Sequence, residues 1–288
     1  KSDAYYLPIN DLNVIGHMEG HQAIIDTLSG RIGASNLSLS GSVSDLPAIL
    51  HHTDDSVWVN LDVHSDLIDL AALSYDPLSK KVALDEQIKD FELDLAFASS
   101  ARSFTESPNL PIGEFFIRDL HAQLEHYPHE FHDFHADIFI EDENMRLIDF
   151  SGELDRSDFH FSGKLVHYDF WFNDVLNGDT ELEFDLTSNH LYLEDILVYK
   201  GENYVPEDYQ HEDFKGLKFH GRTQLHYKNH ILQSIDLYLD QLDCKMQLHQ
   251  CRFEDFKGSL HYEDEHISTK DLRGSIGRSD FALDMYWY

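Results

Sequence analysis

The chain has 288 residues, and 54 acidic against 21 basic side chains give it a formal charge of −33. Such a polyanion is repelled by nucleic acid, which proteins hold by neutralising phosphate with Lys and Arg; an anionic lipid surface is an equally poor electrostatic partner unless the contact is apolar. With 42% apolar residues, 19 Phe and 14 Tyr there is material for a core, which excludes wholesale disorder.

No apolar run approaches the ~20 residues that span a bilayer as a helix. The chain opens at Lys1-Ser2-Asp3-Ala4 without a Met or an apolar signal segment. It stops within an apolar alternation at Met285-Tyr286-Trp287-Tyr288. The expectation is a piece of a longer protein. Cys244 and Cys251 are the only cysteines, too few for a zinc framework.

In chain order, period-two alternation marks one half-buried strand after another. Leu37 and Leu39 open the series. Val57, Val59, Leu61 and Val63 then alternate with Trp58, Asn60, Asp62 and His64, and Phe91, Leu93, Leu95 and Phe97 with Glu92, Asp94 and Ala96. Further on come Phe159 and Phe161, then Leu182, Phe184 and Leu186 against Glu183 and Asp185. Ile235, Leu237 and Leu239 alternate with Asp236, Tyr238 and Asp240, and the last face carries Phe281, Leu283, Met285 and Trp287. Aliphatic side chains thus take one side of a sheet and most carboxylates the other. Helix is expected only as a turn or two at Asp66–Ser74 and Asp169–Leu176. The Pro-bearing stretches Tyr75–Lys81, Ser99–Gly113 and Gly201–Gly216 read as loops or insertions. Gly30, Gly41, Gly152, Gly163 and Gly274 suit tight turns, bulges or bends.

A repeat organises these elements. Ser29-Gly30-Arg31-Ile32-Gly33-Ala34-Ser35-Asn36-Leu37 returns as Ser151-Gly152-Glu153-Leu154-Asp155-Arg156-Ser157-Asp158-Phe159, and again as Arg273-Gly274-Ser275-Ile276-Gly277-Arg278-Ser279-Asp280-Phe281. Gly30, Gly152 and Gly274 stand 122 residues apart, as do Asp11, Asp133 and Asp255, and Glu19, Glu141 and Glu263. Between 133–161 and 255–283, 11 of 29 positions are identical. Leu61 to Ser65 pairs with Phe184 to Ser188 at an offset of 123, which one inserted residue explains. Apolar alternation alone does not make Gly, Ser and Asp coincide at one fixed shift. The copies are read as 1–110 (partial), 111–232 and 233–288 (the start of a third).

The form of this repeat resembles the AsmA-like proteins of bacterial envelopes, related to TamB. The resemblance lies in segments such as Phe253-Glu254-Asp255-Phe256-Lys257-Gly258-Ser259-Leu260 followed by Leu272 to Phe281. It lies also in Gly163 followed by Glu181 to Leu193, and in Ser65-Asp66-Leu67-Ile68-Asp69-Leu70. It covers most of 9–73, 115–197 and 217–288, and carries no catalytic signature. The resemblance implies a long open β-groove lined by aliphatic and aromatic side chains. It further implies a periplasmic protein, held in the inner membrane by an N-terminal helix outside this chain, that helps move phospholipid toward the outer membrane. The strong acidity and the missing transmembrane helix depart from that family.

Searched for chemistry, the residues offer no nucleophile elbow, P-loop, dinucleotide fingerprint or HExxH. His126, His129, His132 and His135 are spaced by three, but Tyr127-Pro128 and Asp133-Phe134 favour loop and strand. They are read as histidines on a solvated acidic face, so no metal or other cofactor is assigned. Glu141-Asp142-Glu143-Asn144 lacks the Gly and terminal Glu of a calcium loop, and its repeat partner Glu263-Asp264-Glu265-His266 marks both as hairpin turns. Cys244 shares a face with Met246 and is read as a buried free thiol; a disulfide to Cys251 requires an intervening turn.

The expected fold is therefore all-β: an elongated, mainly antiparallel, repeating β-groove, an open twisted U-shaped sheet with few short helices. At ~4.8 Å per strand some twenty strands span on the order of 100 Å, against a radius of gyration of roughly 19 Å for a globule of this length. One-sided alternation alone is equally the pattern of a closed sandwich; extension by tandem repetition favours the groove. The side chains expected to line it are Leu37, Leu39, Val57, Val59, Leu61, Val63, Phe159, Phe161, Leu182, Phe184, Leu186, Phe281 and Leu283, with no catalytic residue. The functional expectation is a non-enzymatic groove that carries phospholipid or other acyl-chain lipid between membranes. The alternative is a structural or scaffolding β-sandwich that binds other envelope proteins.

Overall fold

Each alternating stretch is a strand. The computed structural model describes residues 7–76, 80–82, 84–107, 110–168, 170, 177–229, 231–264 and 266–287. In chain order the strands are β1 (Ile9–Glu19), β2 (Gln22–Ile32), β3 (Ser35–Val43), β4 (Ser56–Asp69), the two-residue β5 (Tyr75–Asp76) and β6 (Lys81–Val82), β7 (Gln87–Ser100), β8 (Gly113–Leu124), β9 (Glu130–Glu141) and β10 (Asn144–Leu154). There follow β11 (Ser157–Val166), β12 (Asn177–Tyr192), the two-residue β13 (Val198–Tyr199) and β14 (Glu202–Asn203), β15 (Asp213–Lys228), β16 (Ile231–Met246), β17 (Arg252–Glu263), β18 (His266–Ile276) and β19 (Ser279–Trp287). Among the described residues four short α-helices interrupt them: α1 (Leu46–Leu50), α2 (Leu70–Leu73), α3 (Ala101–Glu106) and α4 (Leu193–Leu197).

Among the described residues fifteen strands form one open, antiparallel sheet whose order follows the chain, with the two-residue pairs β5-β6 and β13-β14 set apart. β1 and β19 each have a neighbour on one side only, so the sheet is not closed into a barrel. By packing, the chain divides into two compact units: Lys1–Ala136 with Gly152–Asp155 and Leu197–Tyr204, and Asp137–Ser151 with Arg156–Ile196 and Val205–Tyr288.

The repeat is written into the backbone. Gly20, Asp142 and Asp264 turn three hairpins with φ of 65°, 55° and 49°, and Gly33, Asp155 and Gly277 turn the next three with 61°, 50° and 61°. Gly and Asp are the residues for these turns: Gly lacks a Cβ, and Asp tolerates the left-handed region through local hydrogen bonding. Asp11, Asp133 and Asp255 sit inside strands with φ of 54°, 55° and 54°, and the registers of β1 and β17 shift at Asp11 and Asp255. A bulge of this kind re-aims the next side chain. Here it lays Phe134 and Phe256 over Gly152 and Gly274, where an added Cβ would meet the ring, and brings Leu12 beside Gly30. A ring over a strand glycine covers backbone that the glycine leaves bare.

A second repeated device clamps each hairpin to the end of a later strand. In the first copy Ser35 Oγ accepts from Asp69 N (2.8 Å), Asn36 Oδ1 accepts from Leu67 N (3.0 Å), and Asn36 Nδ2 donates to Asp66 Oδ2 (2.7 Å). In the second, Ser157 Oγ accepts from Tyr192 N (2.9 Å), Asp158 accepts from His190 N (2.7 Å), and Asn189 Nδ2 donates to Asp158 Oδ2 (2.9 Å). The Asn–Asp pair has exchanged sides between copies while its geometry stays. Ser35, Ser65, Ser157 and Ser188 are buried at these joints. α2 and α4 follow directly, so the helix expected at Asp66–Ser74 is α2; Asp169–Leu176, apart from Phe170, lies outside the described residues.

Ser99–Gly113 is not simply a loop, since β7 runs to Ser100 and α3 follows. Ser100 Oγ caps α3 by accepting from Ser103 N (3.1 Å), and Phe104 packs on Phe97 with ring centroids 5.3 Å apart. α1 is capped in the same way, Asp45 Oδ1 accepting from Ala48 N (2.9 Å). Gly201–Gly216 likewise holds β14, a single 3₁₀ turn at Glu207–Tyr209 and the start of β15. Of Tyr75–Lys81, residues 77–79 lie outside the described residues.

Candidate functional site

Directly opposed residues of antiparallel neighbours share a face, so the strand registers decide what the apolar stripe becomes in each unit. In the first unit Leu28 opposes Leu39, Leu39 opposes Val63, Val63 opposes Leu93 and Leu93 opposes Leu120. In the second, Phe161 opposes Leu186, Leu186 opposes Phe219, Phe219 opposes Leu242 and Leu242 opposes Phe256. A longer row there runs Leu182, Thr223, Leu237, Leu260, Thr269, Met285 over six strands.

Burial divides the expected lining residues into two sets. Val57 and Val59 are sealed, 2% and 4% exposed, because α1 and α3 bring Ala48 and Ala101 down on them to make a core with Phe97. Phe184 is also buried, its ring 4.8 Å from that of Phe219. These three belong to closed packing and not to an open lining. Leu39, Leu61, Val63, Phe159, Phe161, Leu182, Leu186, Phe281 and Leu283 are half-buried, and Leu37 is exposed. Leu237 and Leu260 are half-buried although they oppose each other within their strands, with Thr223 and Thr269 on their outer sides. The repeat glycines Gly30, Gly152 and Gly274 occupy equivalent strand positions, in β2, β10 and β18, beside their turns.

The opposite face carries acid–histidine and acid–base pairs. In the second unit His226 Nδ1 lies 2.5 Å from Asp179 Oδ1, Gln224 donates to Glu181 (2.7 Å) and His261 Nδ1 lies 2.8 Å from Asp236. The hydrogen bond to Asp236 raises the His261 pKa above its ordinary value, against a lowering by burial. The side chains therefore offset one another's charge in a chain that is strongly anionic overall.

The four histidines spaced by three do not converge. His126 Nδ1 stands 3.5 Å from Glu86, His129 Nδ1 is 2.5 Å from Asp155, His132 Nδ1 is 2.8 Å from Asp133 and His135 is exposed. Among the described residues, His132 with Asp133 and Glu153 offers a set of ligand atoms close enough for a cation within one unit, and both carboxylates are solvent-exposed. Cys244 and Cys251 are both free although the 247–249 turn separates them. Burial pushes the Cys244 thiol up to about 11, with Asp243 adding to the shift, which makes it a poor nucleophile.

Two features of the site escape a reading of periodicity. One is the serine clamp, whose signal was present as non-apolar positions that coincide between copies. The other is Glu212, fully buried, whose carboxylate accepts from Leu248 N (2.8 Å), His249 N (3.2 Å) and His249 Nδ1 (2.7 Å), as well as from Gln247 N. Burial pushes its pKa up, but these donors outweigh it and hold the carboxyl below its ordinary value. No family model, no curated protein and no solved structure matches this chain.

Proposed function

We propose that the half-open apolar faces bind the acyl chains of lipids without catalysis, and that the protein carries phospholipid through the periplasm between two membranes. The observation that carries this reading is the half-burial of Leu237 and Leu260, directly opposed to each other within a row of Leu, Thr and Met side chains. In a closed sandwich mid-strand aliphatic side chains are the most deeply buried of all, because the second sheet lies over them. An acyl chain has no polar group to satisfy, so a surface of Leu, Phe and Met accepts it in any register. At ~25 cal/mol per Å² one chain contributes several kcal/mol. Successive strands offer similar surfaces, so lateral movement meets no steep energy step. The resemblance of the repeat to the AsmA-like proteins supports the periplasmic setting and the phospholipid cargo.

The test is native mass spectrometry with lipid extraction on the purified chain, beside Leu237→Asp and Leu260→Asp variants. Co-purifying lipid that both variants lose while remaining folded supports the reading. A lipid-free protein, or variants that are insoluble because the face is closed by protein, sinks it in favour of a scaffolding role.

A further inference from the structure

Over much of the polar face of the second unit opposite charges stand in register. Lys164 opposes Glu183, which opposes Arg222 on its other side, and Lys218 opposes Asp243. The rule breaks at Lys257, which opposes Arg273, and over three strands at one margin. Lys215 opposes Lys245, and Lys245 opposes Arg252, so three cations stand in register across the ends of β15, β16 and β17. Like charges directly opposed across a sheet destabilise it. In the first unit Asp62, Asp94 and Asp119 form a comparable acidic row, and Arg118 reaches to within 3.5 Å of Asp94. With 54 carboxylates an acidic row is expected from composition, whereas with 21 cations in 288 residues a basic row is not.

The row borders a cleft of about 520 Å³ beside Gly216, whose surroundings are open. Four cations line it, Lys218 being the fourth, against three carboxylates, Asp243, Glu254 and Asp255. Some of this charge is already engaged. Lys215 Nζ lies 3.6 Å from Asp213, Arg252 Nε lies 2.7 Å from Glu254, and Asp243 Oδ1 accepts from Asp255 N (2.6 Å). Among the described residues Lys218 and Lys245 have no carboxylate within 4.0 Å, and Arg252 meets Glu254 through Nε. A flexible pair of ammonium groups beside a guanidinium fork is the donor set for a tetrahedral oxyanion.

We propose that this cleft binds a phosphate-bearing anion, a phosphomonoester or phosphodiester, and that Lys245 and Arg252 supply its principal contacts. The site stands on the cation row itself; that the phosphate belongs to a lipid headgroup rests on the acyl-chain reading above.

The experiment titrates the full chain, by calorimetry and by thermal shift, with inorganic phosphate, with glycerol phosphate and with a short-chain phosphatidylglycerol below its micellar concentration. Lys245→Gln and Arg252→Gln, singly and together, are compared with Lys228→Gln, a cation at the far end of β15. Binding that each single change weakens roughly tenfold, that the Lys228 variant retains and that added salt weakens supports the site. Equal affinity for inorganic phosphate and the short-chain lipid then assigns a free phosphate, and markedly tighter lipid binding assigns a headgroup. Without ligand, Lys245→Gln is expected to raise the melting temperature at low salt by removing the repulsion, and phosphate to stabilise the native chain but not the double variant. Absence of any phosphate binding, or binding that the double variant keeps, overturns the proposal. Uptake of an uncharged long-chain alcohol reports the acyl-chain reading separately, since it needs no cation.

Discussion

The two complete clamps of the repeat hold the same backbone positions with different chemistry around them. In the first copy positions 34 and 72 are both alanine; the positions 122 and 123 residues further on are Arg156 and Asp195. Asp195 is buried, 2% exposed, and accepts from Ser157 Oγ (2.9 Å), Arg156 N (3.2 Å) and Arg156 Nη2 (2.9 Å). Where one copy has two alanines the other has an ion pair, and both leave the clamp serine holding a backbone N–H. The difference teaches that the ion pair is one solution to filling a joint and not its cause, as is general for buried ion pairs that small or apolar residues can replace.

The copies also differ in what they seal. Val57 and Val59 are closed in the first copy under α1 and α3, while their counterparts at an offset of 123 are Thr180, buried with its hydroxyl on Val166 O (2.7 Å), and the half-buried Leu182. Conversely Leu61 is half-buried and its counterpart Phe184 is sealed against Phe219. The largest expected effect exploits this exchange. A carboxylate at a sealed position has no partner and costs about 4 kcal/mol or more, so Val59→Asp and Phe184→Asp should fail to fold. Leu182→Asp should stay folded with a loss of roughly 1–2 kcal/mol. Circular dichroism of the three, with urea titration of those that fold, checks the order, and failure of Leu182→Asp to fold would erase the distinction between open and closed positions.

The joint gives the next effect. Asp195→Ala leaves Ser157 and Arg156 without their acceptor and should cost about 3 kcal/mol. Removing Arg156 as well makes the joint Ala–Ala, as in the first copy, and the double variant should recover part of that loss. Chemical denaturation of the three variants as a double-mutant cycle gives the coupling. Additive costs would show that the two copies are not interchangeable at this joint.

A smaller effect separates the glycines. An alanine at Gly152 would bring its Cβ to 2.9 Å from the Phe134 ring, and Gly274→Ala meets Phe256 more closely still, whereas at Gly30 the nearest atom is Leu12 Cδ1 at 3.6 Å. The first two changes should cost roughly 1–3 kcal/mol by overpacking, and Gly30→Ala close to nothing. Thermal melts of the three variants measure the order.

Titration gives the smallest effects, at opposite ends of the pH range. The folded pKa of Glu212 is depressed, so its contribution is complete above the unfolded value near 4.5 and is lost as pH falls below it. Glu212→Gln should therefore flatten the acid limb of the stability curve. Cys244 is raised to about 11 from an unfolded 9.0, so the folded chain resists ionisation and loses stability as pH rises above about 9. Cys244→Ala should remove that alkaline loss, and a thiol reagent near neutral pH should label the part-exposed Cys251 well before Cys244.

Much of this was open to a reader of the sequence. Strand positions, the two families of hairpin turn and the 122-residue interval follow from alternation and from Gly and Asp at fixed spacings, all of them local properties of the chain. The three strand aspartates, Asp11, Asp133 and Asp255, were visible as repeated residues, but not as bulges that turn Phe134 and Phe256 onto a glycine. That depends on a neighbouring strand. α1, α3 and α4 escaped because each is about one turn long and its helical form rests on a cap or a packing contact more than on propensity. The identical apolar alternation of Val57–Val63 and Leu182–Leu186 did not distinguish sealed from half-open positions. A side chain's periodicity fixes which face it takes, whereas its burial depends on what lies over that face: α1 and α3 over Val57 and Val59, Phe219 against Phe184, and half-open space at Leu237 and Leu260. The sequence by itself determined an antiparallel all-β repeat with one apolar and one charged face, because backbone sterics and alternation act residue by residue. Only the tertiary structure decided which apolar positions stay accessible and which cations stand in a row, because the first depends on elements remote in the chain such as α1 and α3 and the second on the bulged registers of β15, β16 and β17.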